Sequence, residues 1–200
     1  CRMPYDLLDA NHQELLDDLG QPIHQRYLLS LQDMDRSLYL REMVEAGVTT
    51  FKIEGRLKDK DYVTNVVAYY RQKLDALMTD LDAEPASYKS RYHYSFIPNP
   101  EKTFHRGGTD YFWHGRTASI ASWQTPKSTG EYIGTVRQVR DRSLVVDLLP
   151  DVELRNGDGL CCGDQGFAVN RVDGAHIGVN QEVEVSAGTR LYRNSDIQFQ

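Results

Sequence analysis

The sequence predicts an α/β region followed by an all-β one, and three observations carry that reading. Residues 35–78 alternate helix, strand and helix; residues 86–128 hold no regular period and are broken by Pro98, Pro100, Gly107, Gly108 and Gly115; from Gly130 onward short alternating runs are separated by turn residues. These changes of pattern divide the chain into residues 1–85, 86–128 and 129–200. There are no internal repeats or low-complexity tracts on this reading.

The elements follow in order. Asp35 can cap a helix running to about Ala46, with Leu38, Leu40, Met43 and Val44 on its apolar side and Gly47 as the stop. Val48 to Arg56 then reads as a buried strand, with Phe51 and Ile53 on one face and Lys52, Glu54 and Arg56 on the other. Asp59 can cap a second helix to about Met78, whose stripe is Val63, Val66, Val67, Tyr70, Leu74, Leu77 and Met78. Helix, strand, helix is a unit of parallel α/β structure, and such folds place their ligands at the carboxyl ends of the strands. Glu54 and Arg56 are therefore candidate catalytic residues at a mouth, and Lys52 and Lys58 candidate binding residues. The alternative is that Lys52 and Glu54 only neutralise each other.

Residues 86–128 form a crossing between the two regions. The chain as a whole carries a formal charge of −6. Its middle segment is nonetheless basic: Lys89, Arg91, Lys102, Arg106, Arg116 and Lys127 face only Glu101 and Asp110. The same stretch holds Tyr88, Tyr92, Tyr94, Phe96, Phe104, Tyr111, Phe112, Trp113 and Trp123. Cations neutralise phosphates and flat rings stack on unpaired bases, so Arg91, Arg106 and Arg116 are candidate RNA-binding residues. Alternatively the rings glue the crossing to both of its neighbours.

The last region predicts strands at 132–139, 144–148, 167–172, 175–179, 182–185 and 190–193. Arg140 to Ser143, Asn156 to Gly159 and Asp173-Gly174 serve as turns. Several short strands in so small a region suggest a small antiparallel β-barrel. Cys161 and Cys162 read as buried small hydrophobes. Three cysteines make no disulfide framework and point to a reducing compartment. No run approaches the roughly 20 apolar residues of a membrane span, and no signal-peptide pattern is present, so a cytoplasmic protein is expected. The six histidines have no metal-ligand spacing, and no phosphate-binding loop, zinc-protease helix or nucleophile elbow occurs.

Several motifs in order resemble one family. They are Cys1-Arg2-Met3-Pro4-Tyr5-Asp6-Leu7; Tyr27-Leu28-Leu29-Ser30 with Asp33; Glu45-Ala46-Gly47-Val48 running into Phe51-Lys52-Ile53-Glu54-Gly55-Arg56; Tyr62-Val63; and Tyr70-Arg71. Phe104-His105-Arg106-Gly107, Tyr132-Ile133-Gly134, Asn156-Gly157-Asp158-Gly159-Leu160 and Leu191-Tyr192-Arg193 continue the pattern. Together they resemble the collagenase-like peptidase family, the thirty-second of unknown catalytic type, and most closely its RNA-hydroxylating branch. His105 stands where the family motif has asparagine.

The resemblance implies that residues 1–85 are the last strand–helix units of a TIM-like barrel, whose amino-terminal part lies upstream and is a partner of this segment. It also implies that residues 129–200 are similar to the second-domain barrel of translation factors. Members that modify RNA hold an iron–sulfur cluster through four cysteines, so Cys1 would be one ligand in the full-length protein, with its companions upstream. The function implied is the positioning of ribosomal or transfer RNA at the barrel mouth for hydroxylation. The alternatives are a collagenase-like peptidase whose barrel binds a peptide, and a non-catalytic binding fragment. No nucleophile, base and orienting group that sit together can be named for a peptidase.

Overall fold

The computed structural model describes residues 2–81, 95–117 and 119–199. Cys1 and Arg91 lie outside the described residues.

Residues 5–26 form a small ring. Three backbone hydrogen bonds run head to tail around it: Leu15 N donates to Leu7 O, Ile23 N to Leu15 O, and Leu7 N to Ile23 O, at 2.8–2.9 Å. Its two loops are alike. Asp9 Oδ1 accepts from the amides of Asn11 and Gln13, and Asp17 Oδ1 from those of Leu19 and Gln21. His12 and Gly20 occupy the same left-handed position in the two loops, at φ 62° and 74°. This corrects the expectation of no internal repeat. Asp6-Leu7-Leu8-Asp9 through Gln13 recurs as Glu14-Leu15-Leu16-Asp17 through Gln21, a unit of eight too short to register as a domain-scale repeat.

After the ring, β1 (Asp33–Met34) pairs in parallel with β2 (Gly108–Thr109) of the crossing segment. A 3-10 turn at Ser37–Tyr39 leads into α1 (Leu40–Glu45). Asp35 accepts from Ser37 N at 2.8 Å just ahead of that turn, but the cap positions are Arg36 for the turn and Tyr39 for α1, neither with a side-chain cap bond; Gly47 ends the helix at φ 92°. Helix α2 (Lys60–Asp80) starts where expected, with Asp59 accepting from Tyr62 N at 2.8 Å. The buried face of α2 carries Asn65, Val66, Ala68 and Leu77, while Val63 and Val67 are exposed. Asn65 sews the helix to the crossing segment. Its side chain donates to Asn99 O at 2.7 Å and accepts from Asn99 N at 2.9 Å.

The strand expected at 48–56 does not form. Those residues pair with no strand among the described residues and end in a turn at Arg56-Leu57, and Ile53 and Leu57 are exposed, Leu57 completely. The physical reason is that a strand exists through its neighbours, and the described residues supply none beside it. Likewise, the described part of residues 1–85 closes no TIM-like barrel.

The carboxyl-terminal region is a closed antiparallel barrel. It contains β3 (Glu131–Arg140), β4 (Ser143–Leu148), β5 (Gly159–Cys162), β6 (Gln165–Asp173), β7 (His176–Val179) and β8 (Arg190–Ser195), in the order β3-β4-β7-β6-β5-β8. Inward-pointing Ile133, Val136, Leu144, Val146, Leu160, Phe167, Val169, Ile177, Val179 and Leu191 fill it. Sequence patterning located five of the six strands and missed β5, whose Leu160-Cys161-Cys162 follows directly on a turn. Residues 182–185 are no strand; their alternation is spent on burying Val183 against the core. Cys161 and Cys162 are buried as expected, and burial pushes their thiols up to about 11 and about 12.

A buried charge network fastens the crossing to this barrel. Arg193, 5% exposed, meets Glu131 Oε2 at 2.7 Å, Asp196 Oδ2 at 3.1 Å and Asp158 Oδ2 at 3.4 Å. Lys102 of the crossing reaches Asp196 at 2.6 Å. Phe96 packs edge-on against Phe199 at 5.7 Å, while at the other end Trp113 stacks on Tyr39 at 4.9 Å. These rings hold the crossing to both neighbours.

Candidate functional site

The crossing returns along residues 27–35. Tyr27 N donates to Trp123 O, Gln32 N to Ile120 O, Asp33 N to Gly107 O and Asp35 N to Thr109 O, all at 2.9–3.0 Å. This laces Arg106 beside Ser30 and Asp33. The turn before α2, closed by Lys58 N donating to Gly55 O at 3.0 Å, delivers Lys58 to the same place.

Asp33 is the centre of the resulting knot. Its Oδ1 accepts from Lys58 Nζ at 2.9 Å, and its Oδ2 from the Arg106 amide at 3.1 Å. Both partners of the ion pair are largely buried, with side chains 18% and 17% exposed. The Lys58 ammonium also lies 4.1 Å from the Phe104 ring centre and 4.3 Å from that of Tyr62, within cation–π range of both. The Arg106 guanidinium sits 5.4 Å from the Phe104 ring centre and donates to the wholly buried Ser30 hydroxyl at 3.1 Å. Arg106 Nε is buried without a hydrogen-bond partner among the described residues. The Lys58 ammonium and the Arg106 guanidinium thus share the Phe104 ring, but only the ammonium pairs with Asp33; the guanidinium has no ion pair among the described residues, which suits it to an anion such as a phosphate or carboxylate.

A second carboxylate supports the first. Asp35 accepts from the Tyr70 hydroxyl at 2.7 Å, and burial together with that bond drives the phenol well above its ordinary value. Tyr62 is raised too, by burial first and then by Asp33 and Asp35. These tyrosines stay protonated and act as rigid walls. His105 holds the other side, its carbonyl accepting from Thr129 N at 2.8 Å and Gly130 N at 3.2 Å.

Burial lowers the pKa of His105 below 6.5, with Asp33 pulling the other way. The unfolded chain therefore takes up this proton first as pH falls. The contribution of His105 to stability is complete above about 6.5 and is lost below it. We expect His105→Asn to flatten the decline in denaturation midpoint between about pH 6.5 and pH 5. An unchanged decline in urea titrations would assign the pH dependence to other groups.

The sequence-predicted residues divide. Lys58 and Arg106 come together in the knot. Glu54 is exposed and pairs with Lys52 at 2.9 Å on the surface, and Arg56 and Arg116 are exposed; none of these four joins the knot. Asp33, Tyr62 and Phe104 lie within quoted motifs but were not singled out as site residues. Their signal was the recurrence of charged and aromatic residues immediately beside turns. Among the described residues no group of three or more His, Cys, Asp or Glu side chains can hold a metal ion. The described residues therefore do not fit a four-thiolate cluster.

Residues 1–122 match the model of peptidase family U32. The chain belongs to that family. It is 40% identical over 161 residues to the 23S rRNA 5-hydroxycytidine synthase of Escherichia coli, covering 80% of this chain and 23% of that protein. It is 26% identical over 164 residues to a tRNA hydroxylation protein of Bacillus subtilis, covering 79% of this chain and 36% of that one. A collagenase of Porphyromonas gingivalis is 33% identical over 76 residues, which is 38% of this chain and 17% of the collagenase. The chain thus spans about a quarter to a third of the length of its RNA-modifying U32 relatives. No solved structure gives a significant match.

Proposed function

We propose that this chain is part of an RNA-hydroxylating enzyme of peptidase family U32, and that it holds RNA while reactive chemistry takes place in the longer polypeptide. One observation carries the choice of RNA over peptide. A match of 161 residues in a chain of 200 must include everything from about position 40 to about position 160, and so spans Lys58, Arg106 and the first barrel strands. The collagenase match is less than half as long. On this reading the Lys58–Asp33–Arg106 knot receives a phosphate, and the neighbouring Glu54 and Arg56 turn lines the approach. The substrate would place the enzyme in the cytoplasm. Cys1 would serve an iron–sulfur cluster only with thiolates from elsewhere in the longer protein.

The same proposal accounts for the unpaired segment at 48–56. In the longer protein it becomes a barrel strand between neighbours from upstream, and the exposed Leu57, Val63 and Val67 are covered. Hydrogen exchange checks this directly. The amides of residues 51–54 should exchange slowly in the longer protein and fast in residues 1–200 alone; equal rates would rule the strand out.

The functional experiment is mass spectrometry of ribosomal and transfer RNA from a deletion strain, complemented with the full-length gene. A hydroxylated nucleoside should vanish on deletion and return with the wild type. With Lys58→Ala it should return at a level at least tenfold lower, since loss of a charge-assisted contact is worth about 1.5–3 kcal/mol. An unaltered nucleoside profile on deletion would overturn the RNA assignment and favour the peptidase.

A further inference from the structure

The barrel lies beyond the residues matched by the family model, and one part of its outer wall is built differently from the rest. Tyr132 on β3 and Tyr192 on β8 are register partners, and their rings lie 5.6 Å apart. Arg190, two residues before Tyr192 and so on the same face of β8, places its guanidinium 5.6 Å from the Tyr132 ring centre. The Tyr132 hydroxyl is fixed by a 2.9 Å bond to Thr135, the register partner of Arg190. Both rings are half-buried, and Arg190 is exposed.

Arg137, Arg155, Arg171 and Arg193 of the barrel region each hold a carboxylate. Arg140, Arg142 and Arg190 of the barrel make no ion pair among the described residues, although the region is acidic as a whole, and of these three it is Arg190 that lies over an aromatic ring. That contact leaves its charge uncancelled. A cation kept free beside two tyrosines on adjacent strands of a small closed barrel offers stacking surface and phosphate attraction at one place.

We propose that Tyr132, Tyr192 and Arg190 form a platform for an unpaired nucleotide of single-stranded RNA, with the rings stacking on the base and Arg190 meeting the backbone phosphate. This site rests on the RNA reading above and adds to it: the barrel takes an unstacked stretch, where a duplex would present no free base face. Stacking tolerates any base, so the platform supplies grip and orientation while sequence is read elsewhere.

The test uses the full-length protein and a labelled single-stranded RNA of about 12 nucleotides, with a duplex of equal length as comparison. The single strand should bind more tightly. Tyr132→Ala with Tyr192→Ala should weaken it about tenfold or more while leaving the duplex unaffected, and the corresponding Phe variants should bind like wild type, since stacking needs the ring alone. Arg190→Gln should weaken binding and reduce the slope of log affinity against log salt by about one. Circular dichroism of each variant establishes that the barrel is intact. Wild-type affinity in an intact double-alanine variant would overturn the platform. So would a collagen-derived peptide that binds this face and displaces the RNA. The two readings fail separately, because oligonucleotide binding judges the platform and loss of the hydroxylated nucleoside on deletion judges the enzyme.

Discussion

Replacing Arg193 with methionine is expected to destabilise the barrel by about 3–5 kcal/mol, the usual cost of stranding the partners of a buried ion pair. The guanidinium is the shared counter-charge of Glu131, Asp158 and Asp196, and it also donates to Glu153 O at 2.9 Å. Lys102 alone cannot neutralise three carboxylates. Burial opposes the charge on Arg193, but the Glu131 bond and the fields of Glu131, Asp196 and Asp158 raise its pKa nonetheless. For Asp196, burial works upward, and the Lys102 bond with the charges of Arg193 and Lys102 outweighs it, so its pKa is lowered below 3.8. The stability contributed by Asp196 is accordingly present above about pH 3.8 and lost as pH falls below that value. Urea denaturation at neutral pH measures the loss. Combining Arg193→Met with Glu131→Leu and Asp196→Leu should recover part of it, because groups in one network are not additive. A loss below about 1 kcal/mol for the single variant would mean that the network is solvated and weak.

Gly130→Ala is expected to prevent the barrel from closing. Gly130 sits at φ 75°, and an added Cβ would lie 2.1 Å from the carbonyl oxygen of Arg193 and 2.7 Å from Asn194 Cα. Those are backbone atoms of β8, so no side chain can swing aside. Left-handed strain alone costs about 1–3 kcal/mol, and the overlap forces β3 and β8 apart in addition. Near-ultraviolet circular dichroism should show lost tertiary packing. The comparison is Gly174→Ala, where φ is 58° but nothing lies within 4 Å of the new Cβ. That variant should lose only about 1–2 kcal/mol. Equal losses would show that conformation, not contact, sets the cost at Gly130.

The two halves of the fold were not equally readable in the sequence. The barrel strands declare themselves because each buries alternate residues within its own region, so Ile133, Val136, Leu144 and Val146 are sufficient to set the phase. Residues 48–56 have the same alternation, yet their pairing depends on neighbours that no local pattern contains. The knot shows a similar division. Arg106 is legible as a cation of the basic, aromatic-rich crossing, and Lys58 as one at the carboxyl end of the expected strand. Asp33 organises both, but it is 25 residues from one and 73 from the other, and only the lacing of the crossing along residues 27–35 makes it central. Glu54 drew attention for its charge and proved to be satisfied by Lys52 on the surface.

The ring at the amino-terminal end has a consequence for modularity. Tyr5 and Arg26 exchange backbone hydrogen bonds of 2.8 and 2.9 Å across its neck, so the chain enters and leaves at adjoining points. Everything between them is a detour of twenty residues that closes upon itself. The ring is topologically an insertion: its removal would leave the path from Tyr5 onward through Tyr27 and Asp33 continuous, and its size and surface are free to vary without moving the carboxylate on which Lys58 and Arg106 converge.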